Sequence, residues 1–566
     1  DFLAAPLRDL PERHRSLRAA FNYSWELLSE EDRHALGRLS IFAHGFSADA
    51  AQKLANVAPE RLAGFVDKSI LSSQLAGRHH MPETIRAFVV QQMQGDPQAY
   101  ESLAEAHGEY YLTTLAGMLP IFSSEHGAAA LKQLGLDMVN LREALHWAIE
   151  HRRWASLAPA IDPFLTFFEL QGRFREGLDD AHTLLEHLTS QAGLAQADLY
   201  HSLLGWEGWF AFCSGFKQEG LEKLHRQSYY AQQQGDLAHS AYTNLLLANA
   251  YARMGSLELA RQRIEQSLAD LDELPGTHQP MFLGIRGSAL SMHGVILILL
   301  NHIEQARQVL LQAESALQRS GARYGLIRLF DAQARLANKD HHPEESYRLR
   351  QQALVIAEEF NDRRRVADLL NNLAQSAENL GDFSLAYDYS IHCMQLCNEL
   401  GDRHLSAVNT NNLGFLTLKL HRPLSEALAY YQKSLAIFRE TEDELGAFFT
   451  LRDIARAYLQ ADNLELAHLS LHEALRLGCS FAEAQLALHL IPLIARLLFS
   501  SGQVERAAQL CSTVIHHPQA EAGLQRDAQE LLSEIAGTQA PGLPPRAEPG
   551  EPILPTWQAL LAMLHE

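Results

Sequence analysis

The chain has 566 residues, 47% of them hydrophobic, and its 47 Lys and Arg against 68 Asp and Glu leave a formal charge of −21. That length and apolar content suffice for an extensive core, while the negative balance disfavours nucleic acid or an anionic membrane as a partner of the whole chain. Five cysteines, an odd number scattered at 213, 393, 397, 479 and 511, argue against a disulfide framework and for a reducing, cytoplasmic setting.

In chain order, Leu17, Phe21 and Leu28 mark a first helix, and Ser29 with Asp32 three residues on starts a second in the manner of a capping box. Ser47 can cap a third helix. Pro59 suits the first position of a fourth, which presents Leu62, Phe65 and Val66. Ile70 to Leu75 and Arg78 to Met81, around Ala76-Gly77, read as a small hairpin. Helices followed by a two-stranded wing predict a small winged-helix domain over residues 1–95. That segment holds eleven Lys or Arg and eleven Asp or Glu, a net of zero. Phosphate neutralisation dominates non-specific DNA affinity, so DNA is disfavoured as its partner.

Residues 96–151 read as a helical connector, with helices over Tyr100 to Leu119 and Leu136 to Glu150. Beyond it a unit recurs, seen most clearly from Leu369 to Asp402. Leu370, Leu373, Ala374 and Ala377 fall at helical spacing, Gly381 interrupts, and Ala386, Ser390 and Cys393 resume on a second helix. Small residues at Ala374 and Ala386 let the two helices approach closely. Copies recur at Gly294, Ala306 and Ala313, at Gly414 and Ala427, at Ala455, Ala467 and Ala474, and more weakly at Gly208, Gly215 and Gly220. Their exits carry Gly or Asn beside Asp or Arg, as in QQGD at 233 to 236, RSGAR at 319 to 323, FNDR at 360 to 363 and LGDR at 400 to 403.

This pattern resembles the tetratricopeptide repeat, in a long form of about 40 residues rather than 34. It implies an all-α fold, a right-handed superhelix of about nine repeats over residues 152–535, whose inner surface is the default binding surface. In that register Asp331, Asn371, Asn411 and Arg452 take the fifth, inward-facing position, with Asn372, Asn412 and Asp453 beside them. Carboxamides carry both donors and an acceptor. Two readings follow for them: a clamp on an extended peptide, or bridges between neighbouring helices. Trp209 takes an inward slot in the aromatic stretch 200–216, as a ligand wall or as repeat core.

Val295 to Leu300, the longest apolar run, is far short of the roughly 20 residues a bilayer needs, so it reads as a repeat helix and no membrane is expected. Residues 536–556 form a Pro-rich linker. Residues 557–566 form a short amphipathic helix that caps the array or docks on a partner, capping being the expected use.

The words LRDLPERHRSLRAAFNYSWELLSEEDRHALGRLSIFAHGFSADAA, LAGFVDKSIL and MPETIR at 81 to 86 resemble the winged helix of bacterial STAND regulators, the signal-transduction NTPases related to NB-ARC and NACHT proteins. LDMVNLREALHWAIEH at 136 to 151 is similar to their connector. The resemblance implies an upstream NTPase domain held in its ADP-bound resting state by the winged helix, and a repeat array that senses an inducer. Members carry a nucleotide-contacting histidine where this chain has Pro82, which offers no donor. Asp1 suggests a piece of a longer protein.

No GxxxxGK[ST], HExxH, GxSxG or CxxC motif occurs, so no catalytic residue, cofactor or metal ligand is expected and these residues should form no enzyme. Cys393 and Cys397, one helical turn apart, read as packing residues, and His79, His80, His341, His342, His516 and His517 as solvated at turns. The function expected is that of a non-enzymatic sensor and protein-interaction region that binds a protein, a peptide or a small-molecule inducer. A DNA-binding transcriptional regulator acting through the winged helix is the alternative.

Overall fold

The computed structural model describes residues 21–74, 77–93, 97–192, 196–276, 279–481, 484–537 and 554–565. Leu17, the hairpin tip at Leu75 and Ala76, and most of the Pro-rich stretch, residues 538–553, lie outside them. The chain divides into two compact units, one of residues 1–341 with 355–362, the other of 342–354 with 363–566.

Among the described residues, unit one opens with helical turns at 21–26, followed by α1 (Glu30–Leu39), β1 (Phe46–Ser47), α2 (Ala48–Ala55), α3 (Pro59–Asp67), β2 (Ser72–Gln74), β3 (Arg78–His80) and α4 (Glu83–Met93). The starts follow from capping chemistry. Ser29 accepts from Asp32 N at 3.1 Å, Ser47 from Ala50 N at 3.1 Å, and Pro59 opens α3. β2 and β3 pair antiparallel, as the hairpin requires, with Ser73 opposite His79. β1 joins the other edge of β3, giving the order β1-β3-β2. Two residues are too short a strand to read from sequence. His79 and His80, expected as solvated, are half-buried, and burial pushes both imidazoles below their ordinary pKa.

The connector differs from expectation in its middle. One helix runs Pro97–Ala116, Gly117 breaks it, and short helices Met118–Phe122 and Gly127–Leu136 precede Met138–Glu150. Arg78 of β3 reaches this region almost completely buried (2% exposed). Its guanidinium donates to Gly45 O at 2.6 Å, Leu136 O at 3.1 Å and Asp137 Oδ1 at 2.5 Å. Asn140 Nδ2 donates to the same Gly45 carbonyl at 3.1 Å.

Among the described residues nine helix pairs follow, from Trp154–Leu170 with Phe174–Ala192 to Ile491–Ser500 with Val504–His516, and a single helix Ala522–Gly537. First helices start 38 residues apart (Gly325 to Arg363) at the shortest and 47 apart (Glu444 to Ile491) at the longest. Turns of three or four residues join the two helices of a pair, so the partners run antiparallel and pack on each other. Each such turn holds one residue with positive φ: Gly172, Gly381 and Gly502, for instance, but also Asn301, His341, His421 and Asp462.

The exits noted in the sequence have a structural reason. Gly401 takes φ +71° and ends one pair; Asp402 then accepts from Leu405 N at 3.0 Å and caps the next. Arg323 pairs with Glu359, Arg363 with Glu399, and Arg403 with Glu440, each joining the start of a first helix to the end of its partner. Such exposed pairs are worth about 0–1 kcal/mol each, so they mark register more than they stabilise.

The small positions carry the packing. Ala374, Ala386, Ser390 and Cys393 are buried, and a Cβ on Gly220 would sit 2.6 Å from Gly208 O and from Phe212 N. The apolar run at 295–300 falls at the end of a 20-residue helix, Pro280–Leu299. It is the one described helix long and apolar enough to cross a membrane by length and composition, and 61% of that window is buried in the stack. The fold is therefore all-α in its bulk, a tetratricopeptide-like stack of helix pairs with a small mixed module before it.

Candidate binding surface on the first helices

In unit two, Asn371 accepts at Oδ1 from Asn409 Nδ2 (3.1 Å), across 38 residues of sequence. Asn411 Nδ2 donates to Asp453 Oδ2 at 2.9 Å. The expected asparagines therefore bridge first helices of neighbouring pairs. Asn372 is half-buried beside Asn371 and its carbonyl accepts from Arg350, a buried cation that also donates to Ser376 Oγ at 2.6 Å. Asn412 is half-buried. Arg452 donates to Asp453 Oδ1 at 2.9 Å and lies over the Phe449 ring at 4.9 Å from its centroid. Asp453, buried, thus ties Asn411 and Arg452 together. Burial raises the Glu378 carboxyl with Asp453's charge adding to it, and burial and then Arg452's charge lower the His489 imidazole. This lining offers amides, a guanidinium and carboxylates to a polar ligand.

In unit one the polar side chains reach further. Asp162 accepts from Ser202 Oγ and Trp206 Nε1, both at 2.9 Å, and faces His239 Nε2 at 3.3 Å. His239 Nδ1 lies 2.7 Å from Asp236. Hydrogen bonds to Asp162 and Asp236 push this imidazole up to about 10, so it is charged at neutral pH. Burial works to raise the Asp162 carboxyl, but the bonds and charge of His239, with Trp206 and Ser202, hold it below the ordinary value. Tyr242 OH donates to Glu169 Oε2 at 2.5 Å, and Arg328 donates to Asn249 Oδ1. The Asp162–His239, Tyr242–Glu169 and Arg328–Asn249 contacts each skip the helix pair between, so these three cross the inner face. Gln171 closes the circuit within the unit: its Nε2 donates to Phe360 O at 2.5 Å and its Oε1 accepts from Asn361 Nδ2 at 3.2 Å.

Two expected residues have other surroundings. Asp331 pairs with Arg335 on its own helix at 3.1 Å. Of the two readings for Trp209, its surroundings fit repeat core and not an open ligand wall: it is 4% exposed, with its ring 6.2 Å from Phe212 and 6.5 Å from Phe174. A large indole on a helix held on both sides buries itself whichever slot the register assigns. Pro82 precedes α4, and its carbonyl accepts from Ile85 N and Arg86 N, both at 2.9 Å. Cys393 and Cys397 are buried with their sulfurs 3.8 Å apart. Asn409, Asp162 and His239 were not singled out from the sequence. Asn409 opens the run NTNN, and its distance from Asn371, close to one repeat, was the available signal.

No family model matches the chain. Curated proteins of Mycobacterium bovis and Mycobacterium tuberculosis, provisionally named HTH-type transcriptional regulators, are 25% identical over 194 residues. That match takes in 32% of this chain and only 22% of the length of those relatives. Among solved structures, a signal transduction ATPase with numerous domains carrying a tetratricopeptide repeat sensor, from Pyrococcus horikoshii, is similar at 13% identity and a TM-score of 0.41, over 92% of this chain and 65% of that one. A Rap protein complexed with competence and sporulation factor is similar at 13% identity and a TM-score of 0.40, over 65% of this chain and 100% of that one.

Proposed function

We propose that the chain is the sensing and partner-binding region of a STAND-type regulator, and that it performs no catalysis itself. Its stack of helix pairs takes a peptide, a protein segment or a small-molecule inducer on the face formed by the first helices. Residues 1–95 then act as a winged helix that passes the event to an NTPase domain elsewhere in the whole protein.

The observation that carries this reading is the buried contact of Arg78 with Gly45, Leu136 and Asp137, which fastens β3 to the helix that leads into the stack. A shift of that helix cannot leave the hairpin unmoved without breaking the two hydrogen bonds that the buried Arg78 donates to Leu136 and Asp137. The polar lining at Asn371, Asn411, Arg452 and Asp453 supplies groups that a ligand would engage by taking over bonds now made between helices.

The test is a thermal-shift screen of the intact chain against peptide and metabolite libraries, with hits retested on Asn371→Ala/Asn411→Ala. Affinity should fall at least tenfold while helicity is unchanged. A hit should also alter hydrogen exchange at residues 72–80, and Arg78→Met should abolish that response. Hits whose affinity survives the double substitution would refute the proposed surface.

A further inference from the structure

Trp557–His565 is a helix of nine residues, 19 residues beyond the end of Ala522–Gly537. It was expected to cover the end of the array, but it packs on Leu464–Gly478, in the eighth helix pair. The first helix of the next pair is short: Ile491–Ser500 has 10 residues where the other first helices of unit two have 17, with Pro492 in its first turn and residues 484–489 in a 3-10 turn before it. Leu464–Gly478 carries the seat, or notch, on which residues 557–565 pack.

The short helix fills that notch. The Trp557 ring stands edge-on to Phe448, with centroids 6.0 Å apart, and lies over Gly478, where an added Cβ would come within 2.4 Å of the indole. Leu560 and Leu564 are buried, and His468 Nε2 lies 2.8 Å from Leu564 O. Trp557 Nε1, shielded from solvent, has no acceptor among the described residues. A nine-residue helix is not stable alone in water, so this one exists by virtue of its seat.

We propose that the notch is an acceptor site for an amphipathic helix bearing tryptophan followed by leucine three and seven residues later. Trp557, Leu560 and Leu564 make residues 557–565 its resident, displaceable occupant. A partner helix of that pattern enters only by expelling them. The site is separate from the surface proposed above, and either can fail without the other. Glycine at 478 fits this use, since a helix-favouring alanine there would close the seat, and the orphaned indole N–H leaves the resident less than optimal.

The experiment measures fluorescence anisotropy of a labelled synthetic peptide of residues 554–566 against the full chain and its Leu560→Asp/Leu564→Asp variant. The substitutions should free the notch, so the variant binds the peptide at least tenfold more tightly than the parent, whose tethered helix competes at an effective concentration on the order of millimolar. Adding Gly478→Ala to the variant should abolish peptide binding while circular dichroism holds. Equal binding by parent and variant, or none by either with helicity retained, would overturn the proposal. So would loss of the array's helicity in the variant, because residues 557–565 would then be part of the fold and not a removable occupant.

Discussion

Arg78 and Asp137 allow a prediction whose direction runs against a simple count of lost bonds. Arg78 is buried and donates to two carbonyls and a carboxylate, while Asp137 keeps 19% of its side chain exposed. Asp137→Asn removes one charge and nothing else, but it strands a guanidinium in a site it cannot leave. Removing one partner of a buried pair costs about 3–5 kcal/mol, and solvent reaching Asp137 places the expectation near the bottom of that range, about 3 kcal/mol. Arg78→Met removes three hydrogen bonds, each to a charged donor, but the exposed edge of Asp137 rehydrates and Gly45 O still accepts from Asn140 Nδ2 at 3.1 Å. Its expected cost is about 2 kcal/mol, below that of the smaller change. The double variant should cost no more than Arg78→Met alone, because the stranded charge is gone. Hydrogen exchange with mass spectrometry suits the measurement, since a chain of two units need not unfold in one step. Protection should fall together in residues 78–80 and 138–150 in the Asp137→Asn variant. If Arg78→Met proves the costlier by more than about 1 kcal/mol, or if only the hairpin loses protection, the contact does not couple the two elements and the argument fails.

Four shorter predictions follow from the same reasoning. His239 holds its proton to about pH 10 in the folded chain against 6.5 when free, so its contribution is complete below pH 6.5 and fades as pH rises from there through 10. The full linkage would be about 5 kcal/mol, but a ring 40% exposed is screened and about 1–2 kcal/mol is expected; His239→Gln should flatten the loss of melting temperature between pH 7 and 10, and an unchanged slope would refute the assignment. Asp453→Ala should destabilise unit two by about 2–4 kcal/mol in denaturant titration, by releasing Asn411 and Arg452 at once, whereas a cost below about 1 kcal/mol would show those bonds to be incidental. Gly220→Ala drives a methyl into the backbone of the facing helix and should cost about 1–3 kcal/mol, with raised exchange confined to residues 197–234; a neutral outcome would mean the pair can separate. Glu442, at φ +54°, should gain about 1 kcal/mol on replacement by glycine, read as a higher melting temperature, and no gain would mean its side chain compensates the strain.

The repeat was legible because its chemistry is local. An Asp after a Gly reads as a cap after a left-handed residue, and Gly401-Asp402 does both. Ala374 and Ala386 read as close packing from their size alone. The register also placed Asn371 and Asn411 on helices that face the next pair, but not what they meet there, since a donor's partner 38 or 42 residues on depends on side-chain rotamers as well as period. Trp209 stays open between wall and core in the sequence for the related reason that a slot number gives a direction and not a depth. The contacts Asp162–His239 and Gln171–Asn361 were out of reach altogether, because they depend on the accumulated curvature of several pairs and no single pair encodes that. The seat of residues 557–565 was hidden in the same way, because it joins Trp557 to Gly478 and Phe448 across a long stretch of sequence.

Those crossings bear on where a ligand would first engage. In unit one the bonds that span the inner face join every second pair, and two of the bonded groups, His239 and Arg328, are charged donors. A ligand there must replace bonds worth about 1.5–3 kcal/mol apiece before it gains anything. In unit two the bond between Asn371 and Asn409 joins immediate neighbours and is neutral on both sides, worth about 0.5–1.5 kcal/mol. An incoming amide or carboxylate can take over such a bond at little net cost. The Asn371–Asn409 bridge and the proposed ligand contact are thus compatible uses of one pair of groups, and the weakness of that bridge is what makes it available for exchange, whereas Asn411 is held more firmly by the Asp453 carboxylate.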